Sequence, residues 1–531
     1  MSAGPSAFPP ATPRAATPLR WLDRVATGLL LLPVLAYGAM SLRWPFSWDH
    51  GIFAWIAETI VHGGLPYRDA WDVKGPLTFY SFALVRLVTG RGMWGIRLFD
   101  LLVLAVGALA AARLVSRLGG RGVGRYAALF LVLFYGGTGF WDTAQPDGWA
   151  AFLLLVAFVP LLTGGLTSPR SAYAAGAASG VAALFKPLFG VFILVPLLYV
   201  LLGREHPPGV RLRQAVLVGV ACGVPLALCA AWFAAHGAFW HLFDTYVLYN
   251  LEQAGFPAAT AATSWQRFLW RLSVMPAVLP ALAASALGIG LVLRTDRRSA
   301  ILLLVWLGLG FWAVWTQHRF WSLYQWHVAF VPLAVAAWVG VGRLWYLPAV
   351  GPAQLALRLG VLALGLVLFA RAARRPLRDE ARWLELVRGR LTADQYDAAY
   401  ATEALSWSVP QARRVAAYVE THTAPTDRVL VWSDPTVNYL TRRPGVGRLI
   451  FHNAFDTDHP TRHREAYRAE LLRSLELHPP RLVIIAQRNL VAADSINEAN
   501  VATRFPRFAE LLARNYHPVD TIGQMIVQAR N

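Results

Sequence analysis

The sequence predicts a polytopic α-helical membrane protein of about 11–13 spans that ends in a small soluble α/β domain. Three observations carry this reading. Of 531 residues, 56% are hydrophobic and only 15% charged, with a mean hydropathy of +0.43, outside the balance of water-soluble chains. Apolar stretches near the length that crosses a bilayer recur as far as residue 370. Beyond that point they stop, and helix-like and strand-like patterns alternate instead.

In chain order, residues 1–20 are rich in Ala and Pro and read as a flexible tail. Residues 21–370 hold apolar runs at about 23–42, 94–114, 124–140, 148–165, 171–188, 187–202, 212–234, 270–293, 299–315, 323–342 and 353–370. Each must be helical, because a loop or strand edge facing lipid would leave backbone groups without partners. The first run follows Arg14 and Arg20, as a signal peptide would, but it reaches Met40 and reads better as a retained span with its N-terminus in the cytoplasm. Residues 76–90, PLTFYSFALVRLVTG, are short for a crossing and contain Arg86, so they read as a short or re-entrant helix. Counting them gives twelve crossings; omitting them gives eleven, with the C-terminus outside. The stretch 235–268 alternates aromatic and polar groups, as interfacial helices do. There Trp240, Tyr246 and Tyr249 suit a path for a hydrophobic tail, a stacking surface for sugar, or an ordinary aromatic belt.

Residues 371–408 are charged and read as a linker containing a helix. In 409–531, VPQARRVAAYVETH predicts a helix before the strand RVLVWSD, ELLRSLELHPPRLVIIAQ repeats the pattern, and GQMIVQA supplies a further strand. This domain has neither GxGxxG nor a phosphate-binding lysine loop.

The net charge of +19 raises nucleic acid as a partner, but the arginines lie between apolar runs and form no basic arm, so none is expected. Arg113, Arg117, Arg121 and Arg125 mark one connection, Arg204, Arg211 and Arg213 a second, Arg294, Arg297 and Arg298 a third, and Arg343 a fourth. All should be cytoplasmic, which puts the loop 43–75, the surroundings of Asp147 and Lys186, residues 316–322 and the C-terminal domain on the opposite side of a cytoplasmic membrane. Cys222 and Cys229 share one apolar run and carry no redox signal.

The loop SWDHGIFAWIAETIVHGGLPYRDAWDVKGPLTFY gathers an unusual density of titratable groups at a membrane edge. Asp49 follows the aromatic RWPFSW; a carboxylate at that depth is partly desolvated yet reaches water, which suits a general base or an electrostatic partner as well as a plain loop acid. Lys74 suits a lipid-linked phosphate or a snorkelling helix end, and Asp72 either supports it or pairs with it. In WDTAQPDGW, Asp147 either caps the helix behind Pro146 or faces a shared cavity, and Asp142 is nearly as credible as a loop residue. Lys186 interrupts VAALFKPLFG, where a charge between apolar helices needs water or an anion. In TQHRFWSLYQWH, Arg319 suits bidentate grip of a phosphate, with His318 beside it and His327 deeper.

The ordered segments WDHGIFAWIAETIVHGGLPYRDAWDVKGPL, TAQPDGWA and AALFKPLFG resemble the integral-membrane glycosyltransferases of the C superfamily, in particular bacterial relatives of protein mannosyltransferases and lipid A aminoarabinose transferases. The resemblance covers roughly 20–370. It implies an inverting transferase that moves a sugar from a polyprenyl-phosphate carrier to a glycan, lipid or protein acceptor at the outer face of the membrane. It also implies Asp49 as the catalytic acid of the first external loop, Asp147 as the second, and Lys74 and Lys186 near the carrier phosphate; beside these, Arg319 is a candidate phosphate ligand by its own chemistry, with His50, Asp72 and His318 as supporting candidates. Several relatives have adjacent Asp and Glu where this chain has Asp49 followed by His50, which leaves open whether a divalent metal assists. The alternative reading is a multi-span transporter or flippase of a lipid-linked glycan, which should show paired repeats and polar groups near the midplane.

Overall fold

The computed structural model describes residues 17–163, 169–203, 205–255, 261–275, 277–318, 320, 322–348, 350–402, 406–432, 434–449, 462–488 and 496–531. Of the tail expected over residues 1–20, residues 1–16 lie outside the described residues and 17–20 form the start of α1; Arg204 and Arg319 also lie outside the described residues. The membrane portion comprises α1 (Thr17–Ser41), α2 (Trp48–Val61), α3 (Pro76–Thr89), α4 (Trp94–Leu118), α5 (Gly124–Gly136), α6 (Pro146–Leu162), α7 (Pro169–Ala183), a 3-10 turn (Pro187–Ile193) running into α8 (Leu194–Leu201), and α9 (Pro208–Ala235). Short helices α10 (Phe239–Leu242) and α11 (Asn250–Gly255) flank a π-helical stretch (Phe243–Tyr249). Then come α12 (Ala261–Val274), α13 (Val278–Leu293), α14 (Arg297–Trp315), a 3-10 turn (Leu323–Trp326), α15 (His327–Trp345) and α16 (Gly351–Val387).

Two polar layers close the ends of this bundle. In one, Arg343 donates to Leu118 O, Arg117 to Thr163 O, Arg298 to Tyr199 O and Ser299 to Leu162 O, so the arginine-marked connections meet one another. The start of α1 belongs to the same layer, where Asp23 accepts from Tyr126 and Arg125. The opposite layer holds the loop before α2, the 137–147 and 184–187 connections and the 3-10 turn before α15. Followed through the described residues, the chain passes between the layers eleven times, in α1, α4, α5, α6, α7, α8 with its 3-10 turn, α9, α13, α14, α15 and α16.

Among the described residues six helices are long and apolar enough by themselves to cross a membrane, and the α12–α13 pair, bent by 90°, makes a seventh where it is counted as one span. Hydropathy suggested 11–13 spans because it counts apolar runs, whereas α5, α6, and the 3-10 turn with α8 are shorter than 18 residues. α3 does not join the layers. Its start is tied by Gly75 N to Phe185 O (2.9 Å), its Arg86 pairs with Glu58 of α2 (2.8 Å), and Tyr439 of the C-terminal domain donates to Arg91 O just beyond its end.

Small residues let α7 and α9 approach. Gly176 and Gly180, one turn apart, face Val218 O and Cys222 O so closely that a Cβ would stand 2.6 and 2.1 Å from those oxygens.

α16 continues past the end of its apolar stretch to Val387, and α17 (Ala393–Ala398) and α18 (Val409–His422) follow. The rest of the chain gives β1 (Val429–Trp432), α19 (Pro435–Thr441), α20 (Arg462–Leu477), β2 (Leu482–Ala486), α21 (Val501–Arg504), α22 (Pro506–Asn515), β3 (Tyr516–Ile522) and β4 (Met525–Arg530). The sheet order is β1-β2-β4-β3, with β1 and β2 parallel and the other pairs antiparallel. The strands expected around RVLVWSD, RLVIIAQ and GQMIVQA are β1, β2 and β4; β3 was not anticipated.

This domain sits directly on the site layer. A Cβ on Gly51 of α2 would lie 2.7 Å from Thr436 N. Trp71 N donates to Arg448 O (2.9 Å), Arg448 donates to Tyr67 O (2.9 Å), and Arg448 also pairs with Glu470 (2.7 Å). His463 lies between Asp244 (3.0 Å) and Glu252 (2.6 Å) of the π-helical stretch and α11. The layers predict opposite labelling. In a C222A/C229A background, a cysteine introduced by L477C should react with an impermeant maleimide from one side of the membrane and one introduced by R121C only from the other; both positions are exposed, and labelling of both from the same side would refute the path.

Candidate active site

Four of the sequence-derived residues converge on the layer that the C-terminal domain covers. Asp49 stands in the first turn of α2, and Asp147 in the first turn of α6, behind Pro146 at the first helical position. Lys74 ends the first loop and Lys186 begins the 3-10 turn before α8. The lysines are brought together by backbone pairing, Gly75 N to Phe185 O (2.9 Å) and Leu77 N to Leu184 O (3.2 Å). A Cβ at Gly75 would stand 2.0 Å from Leu184 O, so only glycine permits that approach.

Lys186 Nζ donates to Asp147 Oδ1 (3.1 Å) and also to Gln317. The second oxygen of Asp147 is buried and has no hydrogen-bond partner. Gln145 Nε2 donates to Asp49 Oδ2 (3.4 Å), while its own Oε1 is likewise buried and unpartnered. Lys74 Nζ donates to Tyr324 Oη (3.1 Å) and stands 4.5 Å from that ring's centroid; Lys186 Nζ stands 5.9 Å from the same centroid. One tyrosine face therefore serves both ammonium groups. Asp142 holds this tyrosine from behind by accepting from Tyr324 N (3.0 Å).

Burial raises the Asp49 carboxyl above its ordinary range, against the opposing pull of Lys74 and the Gln145 hydrogen bond. Asp72 is pushed up to about 7, again chiefly by burial, although Lys74 nearby favours its charge. Its Oδ1 accepts from Lys74 N (2.8 Å) and so shapes the loop. Asp142 rises to about 6 for the same first reason. Burial opposes the Lys74 charge, but Tyr324, Asp49, Asp147 and Asp72 outweigh it and hold its pKa above the usual lysine value. Desolvated carboxylates and fixed cations thus face one another across a small space.

His50 points away from this space. Ser47 N donates to its Nδ1 (3.0 Å), so its Nε2 carries the proton and donates to Thr143 O (3.1 Å). Burial and then Arg97 keep the ring well below the ordinary histidine pKa. Arg97, on α4 and 1% exposed, donates to Pro45 O (2.8 Å), Phe140 O (2.9 Å), Thr143 O (3.3 Å) and Thr143 Oγ1 (3.1 Å). It binds the loop carrying Asp49 to the loop carrying Asp147. His318 packs against the rings of Trp315 (5.5 Å) and Phe320 (6.3 Å), outside the charged cluster. Trp240 is exposed, whereas Tyr246 and Tyr249 are buried, Tyr249 against Trp71. Among the described residues no group of three or more His, Cys, Asp or Glu side chains is arranged to hold a metal ion.

Sequence reasoning missed Tyr324, Gln145 and Arg97. Gln145 was visible as a buried-edge amide two residues before an acid; Tyr324 was hidden in an aromatic-rich stretch, and Arg97 in an apolar run.

This polytopic helical bundle, with paired acids and lysines beneath a covering α/β domain, is a fold already seen in solved structures. Two crystal structures of ArnT from Cupriavidus metallidurans share it. The form bound to undecaprenyl phosphate aligns with a TM-score of 0.59 and 16% identity over 97% of this chain and 98% of that one. The apo form gives 0.58 and 15% over 95% and 98%. Residues 73–233 match the family described as dolichyl-phosphate-mannose-protein mannosyltransferase. No curated protein sequence matches the chain.

The Asp147–Lys186 pair, with side chains 1% and 17% exposed, makes a stability prediction. Removing one partner of a buried pair leaves an uncompensated charge and costs about 3 kcal/mol or more, whereas removing both is far milder. Thermal melting in detergent should therefore rank wild type close to D147N/K186M and well above K186M.

Proposed function

We propose that this protein is a glycosyltransferase that takes a sugar from a polyprenyl-phosphate carrier and transfers it to an acceptor hydroxyl at the extracytoplasmic face of the cytoplasmic membrane. The observation that carries the reading is the convergence of Asp49 and Asp147 with Lys74 and Lys186 in one buried cluster on the layer opposite the arginine connections. The charges concentrate at one end of the helices, which favours a transferase over a translocation path with polar groups at mid-depth.

In this reaction the acceptor oxygen attacks the anomeric carbon as the bond from that carbon to the phosphate oxygen breaks, inverting the centre. Asp49 takes the acceptor proton; its desolvation makes it a stronger base than an exposed aspartate. The carrier phosphate leaves with its added negative charge, which Lys74 and Lys186 stabilise with the Tyr324 hydroxyl between them. Arg319 is a further proposed phosphate ligand. Asp147 orients Lys186 through one oxygen and offers the other to a ligand donor. The C-terminal domain faces the extracytoplasmic side in this reading, where the carrier delivers a sugar already activated.

Asp49→Asn preserves size and the Gln145 contact but removes the charge. Turnover of a lipid-linked donor by folded, purified enzyme should fall roughly a hundredfold or more, with donor binding largely kept. Asp147→Asn should fall less. Near-normal turnover in D49N would remove Asp49 from the chemistry, and efficient transfer from a nucleotide sugar without lipid carrier would sink the donor assignment.

The pH dependence has a definite sign. A base whose pKa is raised is ionised only above that raised value, so kcat/KM should fall as pH drops through a range above that of an ordinary aspartate. An acid limb at the usual aspartate pKa would contradict desolvation of Asp49.

A further inference from the structure

α16 leaves the apolar part of the bundle at Ala370 and presents Arg371, Arg374, Arg375 and Arg378 along about two turns of helix, on the layer that carries the site. Positive charge helps hold a connection at the arginine layer, but here it lies at the other end of the bundle, so topology does not account for it. Arg378 pairs with Asp379 (3.5 Å), whereas Arg371 and Arg374 meet no carboxylate among the described residues. Arg375 donates to Thr138 O, and its Nε is buried without a partner.

Arg371 and Arg375 line one side of a shallow recess that is open to the surface. Its other walls are apolar, with Phe134 from the end of α5, Val278 from the start of α13, and Leu323 and Phe330 around the turn before α15. The titratable groups near it are Asp142 and Arg271. Asp142 lies behind Arg375 with one oxygen committed to Tyr324 N, and Arg271 shares the field of both. An apolar wall beside two guanidinium groups, at the boundary where α16 turns from apolar to charged, matches an amphipathic anion.

We propose that this recess is a binding site for a phosphate-bearing membrane lipid, whose headgroup phosphate is taken by Arg371 and Arg375 while its first chain segments lie against Phe134, Val278, Leu323 and Phe330. It is separate from the proposed carrier-phosphate position, since neither Lys74 nor Lys186 lines the recess. The proposal concerns binding and does not depend on the transfer reaction.

The test uses the full-length protein in detergent with fluorescent phosphatidic acid as probe and fluorescent phosphatidylcholine as control. Wild type should bind phosphatidic acid in preference to phosphatidylcholine. R371Q, at an exposed position, should weaken phosphatidic acid binding at least fivefold, and R371Q/R375K at least twentyfold, with melting of R371Q unchanged. R375K is chosen to keep a donor for Thr138 O. R121Q, at an exposed position in the opposite layer, should bind phosphatidic acid as wild type does. Wild-type affinity in R371Q/R375K, equal affinity for the two lipids, displacement of the probe by millimolar inorganic phosphate, or loss of binding in R121Q would each overturn the assignment. Failure of D49N to lose turnover would leave these binding results unaffected, so the two readings fall separately.

Discussion

Arg97 is a permanent charge in the first turn of a membrane helix, and its neighbours are mostly backbone oxygens from two loops far apart in sequence. Its two terminal nitrogens are paired while its Nε is buried without a partner, and each further donor left unpaired in a buried setting costs about 1–3 kcal/mol or more. The loops before α2 and α6 must therefore close on it together. His50 adds the same constraint from the other side, taking Ser47 N at one ring nitrogen and giving Thr143 O a proton at the other. Asp49 and Asp147, one in each loop's following helix turn, inherit their mutual placement from these ties.

The second half of the site is built differently. Lys74 and Lys186 meet because the chain before α3 pairs its backbone with the chain after α7, at a glycine with no room for a side chain. The covering domain then fastens the same loop from above through Arg448 and Trp71. Backbone contacts thus set where each charged group stands, and side-chain partners such as Asp147 for Lys186 set how it points. That arrangement leaves acceptor atoms on Gln145 and Asp147 free for a ligand while the framework stays fixed.

Much of this was legible in the sequence, for a physical reason. Ionisable groups are so costly within apolar surroundings that Asp49, Lys74, Asp147 and Lys186 stand out against them. The short α3 was readable from its length alone. Tyr324 was not, because a membrane-interface belt contains the same aromatics. Arg97 was not, because carbonyl partners leave no side-chain signature along the chain. His318 carried a polar letter beside a candidate phosphate ligand, yet its position follows from packing against Trp315 and Phe320. In the C-terminal domain the buried strands announced themselves as VLVW and LVIIA, while β3, whose middle residues are exposed and include Pro518, did not.

Because α3 turns back within one layer, the passes between layers are odd in number, and the sheet domain lies on the opposite layer from the start of α1. During synthesis the loop holding Asp49 and Lys74 emerges early, whereas Arg448 and His463, which lie over that loop and over the π-helical stretch, are made some 370 residues later or more. The covering domain can close over the loop only after the helices that precede it have been made. The charged cluster consequently waits uncovered until that domain folds, so the order of biosynthesis itself delays assembly of the dry site.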